Sequence, residues 1–237
     1  MTAGTSGSTT VANFALICDC DGVLIDSEAV AARMLVRELE TRWPGTDVEP
    51  VVLPLLGLRI EKVLQGTAAQ LGKSLTLDDI DAIRRAVEAA AMQAPTVEGI
   101  EAALAQVPLT KGCASNSFRP YVESVLVRTG LVRFFGDRLF CADAVPNPKP
   151  APDVYLAAAR GLGLAPSRCL VVEDSVTGVT AASAAGMTVL GFIGGGHASD
   201  AQIDKLHAAG ARHVFDDMQQ LPELVAQWTL SATAAAP

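Results

Sequence analysis

Short apolar runs and stretches of helical periodicity take turns along this chain. The runs fall at residues 14–18, 109–114, 138–141, 169–172, 188–192 and 213–215. Their length and their lack of strict alternation predict strands buried on both faces, as in a parallel sheet. Between them, segments rich in Ala, Leu, Glu and Arg predict helices over 29–42, 78–92, 100–106, 119–129, 154–162 and 178–185. Strands alternating with helices predict an α/β fold with a doubly wound parallel sheet.

One long interval breaks the alternation. No strand-like pattern occurs between Leu24 and Val107, and the segment stays helical, punctuated by Gly57, Gly66 and Gly72. A helical block of this size after the first strand reads as an inserted lid domain, with Pro95 to Gly99 as the returning hinge. The expected division is a core of residues 13–30 and 98–228, a helical domain at 31–97, and tails at 1–12 and 229–237. Both tails lack a packing pattern, the first being rich in Ser, Thr and Gly.

The first run ends in Asp19-Cys20-Asp21-Gly22. In extended chain, alternate side chains share a face, so Asp19 and Asp21 point the same way. Gly22 lets the backbone turn sharply and approach a ligand. Two carboxylates beside a bare turn suit a hard cation and the anion it bridges, although a solvated turn is the simpler reading of this motif alone. Three other places carry chemistry. Ser115-Asn116 closes the second run, Lys149 sits in the proline-rich loop 146–153, and Glu173-Asp174 closes the fourth run. Taken singly, these are a capping pair, a solvated lysine and acids complementing a helix dipole. A doubly wound sheet gathers its strand ends at one crevice, however. The gathered set is a nucleophilic carboxylate, a hydroxyl and amide for an oxyanion, a cation, and an acidic metal pocket. That set fits phosphoryl transfer, where catalysis is mostly positioning and charge neutralisation.

Composition narrows the partners. The chain has 237 residues and a formal charge of −8, which argues against nucleic acid and anionic membrane surfaces as partners. An acidic protein taking an anionic substrate needs local positive charge from a lysine or a metal. The cysteines Cys18, Cys20, Cys113, Cys141 and Cys169 mostly lie in apolar runs, as expected of a reduced cytoplasmic protein without disulfides. No run approaches a membrane span, and the N-terminus has no signal-peptide pattern. His197, His207 and His213 lack metal-ligand spacing and are expected on the surface, and Gly194-Gly195-Gly196 reads as a flexible turn. In the helical insert, Arg59 and Lys62 are the best candidates for gripping an anionic substrate tail.

Asp19-x-Asp21-Gly22-Val23, Ser115-Asn116, Lys149-Pro150 and Glu173-Asp174-Ser175, in this order, resemble the four motifs of the haloacid dehalogenase superfamily. Asp26-Ser27-Glu28, the Lys-Pro-x-Pro-Asp at 149–153 and the Gly178 to Met187 segment are similar to its β-phosphoglucomutase-like phosphatases. The resemblance implies a Rossmann-like core with a helical cap at 31–97. It further implies that Asp19 is the nucleophile, forming an aspartyl-phosphate, and that Asp21 is the acid and then the base. Mg²⁺ would be held by Asp19, the backbone carbonyl of Asp21, and Asp174, with Glu173 orienting a bound water or ligating less directly. Ser115 and the amide of Asn116 would hold phosphate oxygens, and Lys149 would tie Asp19 to the transferring group. The implied substrate is a small phosphorylated metabolite, a sugar or sugar-acid phosphate, and the implied state is a monomer or weak homodimer. A phosphosugar mutase is the nearest alternative, but the places that resemble its cap histidine and arginine hold Ala31 and Ile60, with Arg59 one residue early. A dehalogenase has no use for Asp21 as acid. A non-enzymatic protein holding phosphate or a cation would not need the full set.

Overall fold

The computed structural model describes residues 13–56, 60–194 and 200–234. Residues 1–12 and 235–237, Arg59 with its expected substrate-gripping role, Gly195, Gly196 and His197 lie outside the described residues.

The strands are β1 (Ala15–Cys18), β2 (Thr110–Ser115), β3 (Leu139–Cys141), β4 (Cys169–Glu173), β5 (Thr188–Phe192) and β6 (His213–Phe215). They form one parallel sheet in the order β3-β2-β1-β4-β5-β6, the doubly wound arrangement expected. Every side chain of β1 and β4 is buried, so both strands are central and apolar on both faces. The chain leaves β1 toward β2 and β3, then crosses back to β4 beside it. That reversal is the switch point at which such sheets place ligands. In register, Cys18 faces Cys113 on one side and Val172 on the other, and Asp19 N–H continues the ladder to Val172 O at 3.0 Å. The acidic pair therefore emerges at the switch point because the apolar run stops there.

The chain divides into two compact units, Met1–Ile25 with Thr96–Pro237, and Asp26–Pro95. The second unit begins earlier than residue 31 and ends earlier than residue 97. Within it, Asp26 N–H donates to Pro95 O at 2.9 Å, joining its two ends. It holds α1 (Ser27–Arg42), α2 (Glu49–Val52), α3 (Ile60–Gln70) and α4 (Leu77–Ala91), packed around Leu35, Leu39, Trp43, Leu64 and Ile83. Asp26 makes no side-chain cap for α1. The start of α4 is set instead by Thr76, whose hydroxyl accepts from Asp79 N–H while the Asp79 carboxylate accepts from Thr76 N–H.

The first unit adds α5 (Ile100–Gln106), α6 (Arg119–Arg128), α7 (Val132–Phe135), α8 (Asp153–Leu162), α9 (Val176–Ala184), α10 (Asp200–Ala209) and α11 (Leu221–Ala234). One face of its sheet packs on an alanine-rich layer with Ala158, Ala159, Ala181 and Ala182, small enough for α8 and α9 to lie close. The expectation of an unstructured tail from residue 229 is corrected, since α11 continues through Ala234. Trp228 anchors that helix: its ring meets Phe14 edge-on at 5.2 Å and its indole N–H donates to Thr188 Oγ1 at 3.1 Å. All five cysteines are buried and unbridged. Among the described residues, no helix is long and apolar enough to cross a membrane.

Candidate active site

Burial of Asp19 at the tip of β1 demands a partner, and Lys149 supplies it. Lys149 Nζ donates to Asp19 Oδ1 at 2.7 Å, to Glu173 Oε1 at 2.5 Å and to Ala114 O at 2.9 Å. An ammonium has three hydrogens, so this lysine is fully engaged in a buried chain of alternating charge. Its loop is held in turn by Asn116. The Asn116 side chain accepts from Lys149 N–H at 2.8 Å and donates to Lys149 O at 3.1 Å. The side-chain amide of Asn116 thus locks the lysine loop to the end of β2. Ser115 Oγ, beneath it, accepts from Ser117 N–H at 3.0 Å.

Glu173 is enclosed by donors. Its Oε1 also accepts from Tyr155 OH at 2.7 Å, and its Oε2 accepts from Ser175 Oγ at 3.0 Å and Ser175 N–H at 3.3 Å. The Tyr155 ring lies 4.9 Å from Lys149 Nζ, within cation–π reach. Ser175 caps α9 by accepting from Gly178 N–H. Gly178 has no side chain because a Cβ there would fall inside the Glu173 carboxylate.

Asp21 sits one turn further out, half-buried, on the chain reversal made by Gly22 at φ +78°. Its Oδ1 accepts from Tyr121 OH at 2.7 Å and its Oδ2 from Ser117 Oγ at 2.9 Å. Gly22 is required twice over, by its positive φ and because a Cβ would overlap the Asp174 carboxylate. That close approach brings Asp174, the residue after β4, against the β1 motif.

Four acids crowd this end of the sheet around one lysine. Burial raises the Asp19 carboxyl, Lys149 pulls it down, and Glu173 and Asp21 push it up, which together leave it raised to about 8. Burial acts to lower Lys149, but the Asp19 and Glu173 carboxylates outweigh it and hold the ammonium well above its ordinary value. Carboxylate oxygens of Asp19, Glu173 and Asp174 lie within 4.8 Å of one another. This hard-oxygen donor set fits a divalent cation such as Mg²⁺. Each of Asp19, Glu173 and Asp174 offers one such oxygen. Glu173, with both oxygens already accepting from Lys149, Tyr155 and Ser175, is suited to orientation.

The structure therefore gathers Asp19, Asp21, Ser115, Asn116, Lys149, Glu173 and Asp174 at one end of the sheet. Arg59 lies outside the described residues. Sequence reading assigned no role to Ser117, Tyr121 or Tyr155. Spacing carried a signal for two of them, since Ser117 and Tyr121 are four residues apart at the entry to a helix and can share a face.

This sheet order defines a doubly wound, Rossmann-like α/β core with an acidic cluster and a buried lysine at its switch point. The family profile of haloacid dehalogenase-like hydrolases matches residues 15–186, and the chain belongs to that family. Among similar proteins, 6-phosphogluconate phosphatase of Escherichia coli K12 is 26% identical over 212 residues, spanning 89% of this chain and 93% of its own. Hexitol phosphatase B of the same organism is 34% identical over 179 residues, spanning 73% of this chain and 80% of its own. A HAD family hydrolase from Deinococcus radiodurans R1, solved with bound phosphate and sodium, superposes with a TM-score of 0.81 at 30% identity. It covers 93% of this chain and 98% of that one.

Proposed function

We propose that the protein is a Mg²⁺-dependent phosphomonoester hydrolase that works through an aspartyl-phosphate on a small phosphorylated sugar or sugar acid. The observation that carries this reading is the buried Asp19–Lys149–Glu173 chain, with Asp21 and Asp174 beside it at the switch point of the sheet. The names of the relatives, a phosphogluconate phosphatase and a hexitol phosphatase, support the substrate class.

In the first half-reaction, an Asp19 oxygen attacks phosphorus and the bond to the leaving oxygen breaks. Asp21 delivers its proton to that oxygen, releasing the alcohol. In the second, water attacks the phosphoenzyme and Asp21 takes its proton. The bond between phosphorus and Asp19 then breaks, releasing phosphate and restoring the Asp19 carboxylate, while Asp21 again carries the proton it gives in the next cycle. Lys149 keeps Asp19 oriented and offsets its charge. The Ser115 hydroxyl, fixed from one side by Ser117 N–H, offers its hydrogen to a phosphate oxygen. Bound Mg²⁺ would neutralise the phosphate oxygens and the crowded carboxylates.

Hydrolysis rather than mutase activity is favoured by the second unit. Ala31 and Ile60, which stand where a mutase-like grip is expected, pack as partly buried residues against the apolar cluster of that unit. Neither can donate a hydrogen bond to a sugar phosphate. Phosphorus NMR of β-glucose 1-phosphate with Mg²⁺ is expected to show inorganic phosphate as the main product, with no bisphosphate needed for priming. Glucose 6-phosphate accumulating faster than phosphate would contradict the hydrolase reading. The protein is expected to act as a monomer or weak homodimer without nucleic-acid or membrane partners.

A further inference from the structure

We propose that Tyr121 is a positioning residue for Asp21, aided by Ser117, and that it aims the proton at poor leaving groups. The inference rests on the acid–base role of Asp21 given above and adds residues that none of the four motifs contains. Both hydroxyls come from one short segment where β2 passes into α6, and both reach a carboxylate about a hundred positions earlier in the chain.

The geometry is specific. Tyr121 OH lies 2.7 Å from one oxygen of Asp21 and Ser117 Oγ 2.9 Å from the other. A carboxylate rotates readily about its last bond, and that torsion has broad minima. Bonds to separate oxygens fix its plane. A carboxylate also accepts at about four sites, so two hydroxyl bonds orient it without exhausting it. Tyr121 is placed for this by its own turn: Pro120 sits in the first turn of α6, and Tyr121 N–H donates to Phe118 O at 3.0 Å.

In the step that transfers the phosphoryl group to Asp19, which kcat/KM reports, positioning matters only when the leaving oxygen needs a proton. In attack by Asp19 on an alkyl phosphate, the phosphorus–oxygen bond breaks as Asp21 transfers its proton to the departing alkoxide. With 2,4-dinitrophenyl phosphate the same bond breaks and the phenolate departs unprotonated. A hydroxyl that only braces β1 against α6 would affect both substrates equally.

The test compares kcat/KM for a hexose 6-phosphate with kcat/KM for 2,4-dinitrophenyl phosphate in the Mg²⁺-supplemented full chain. Wild type, Tyr121→Phe, Ser117→Ala, Asp21→Asn and Asp19→Asn are measured. Tyr121→Phe keeps the ring and removes one hydroxyl, and Ser117→Ala tests the other bond with a smaller change. The ratio of hexose to aryl ester is expected to fall about tenfold in Tyr121→Phe, less in Ser117→Ala, and most in Asp21→Asn. A ratio that falls in Asp21→Asn but holds within about twofold in both hydroxyl variants overturns the proposal alone. A ratio unmoved in Asp21→Asn overturns the acid role and the proposal with it. Turnover persisting in Asp19→Asn overturns the covalent reading, whatever the ratios.

Discussion

Asp19→Asn is expected to lower kcat by at least about four orders of magnitude while leaving the fold intact. Asparagine matches aspartate in volume but cannot form the acyl-phosphate. The fold should tolerate it because Lys149 keeps its bonds to Glu173 and Ala114 O, and an amide oxygen can still accept where Asp19 Oδ1 does now. Burial already disfavours charge at this position, so removing the charge relieves a desolvation cost as it removes an ion pair. Steady-state kinetics with a sugar phosphate, alongside thermal unfolding, checks both parts. Turnover within about tenfold of the parent would contradict covalent catalysis at Asp19.

Removal of divalent cations is expected to abolish turnover, and Mg²⁺ is expected to stabilise the protein more as pH rises. The sign follows from Asp19. Its carboxyl is pushed above its ordinary value, chiefly by burial, to about 8. Without a cation, the stability linked to that proton is fully present below the ordinary carboxylate range and is lost as pH rises through about 8. A metal needs the same oxygen deprotonated, so proton and cation compete. The gain in melting temperature on adding Mg²⁺ should be larger by about 5 °C at pH 9 than at pH 6. Asp174→Ala should shrink that gain and raise the Mg²⁺ concentration needed for activity, with less effect on substrate preference. Full activity after exhaustive chelation, or a gain that falls with pH, would contradict the assigned cation site.

The parts of this molecule legible in the sequence are those whose cause is local. Apolar runs buried on both faces announced the strands, and Asp19, Ser115 and Glu173 stood out because polar groups end dry strands at the ligand side of the sheet. The proline-rich loop around Lys149 was legible because proline excludes helix and inner strand. What escaped depends on contacts between distant positions. Asn116 clamps a backbone 33 positions away, and Tyr121 reaches Asp21 across 100. Tyr155 follows Lys149 closely in sequence, but its bond to Glu173 needs α8 and β4 docked. The end of α11 was misread for the same reason. Its Ala- and Thr-rich composition lacks a periodic stripe, while Trp228 ties the helix to Phe14 and Thr188.

The central claim is that phosphate passes through Asp19. Rapid acid quench of the enzyme during turnover of a sugar phosphate, followed by peptide mass spectrometry, tests it most directly. The account predicts one phosphoryl group on the peptide that carries Asp19, accumulating further in Asp21→Asn, where the water-activating base is gone. Phosphate release at the normal rate with no phosphoryl group on that peptide at any quench time would contradict it.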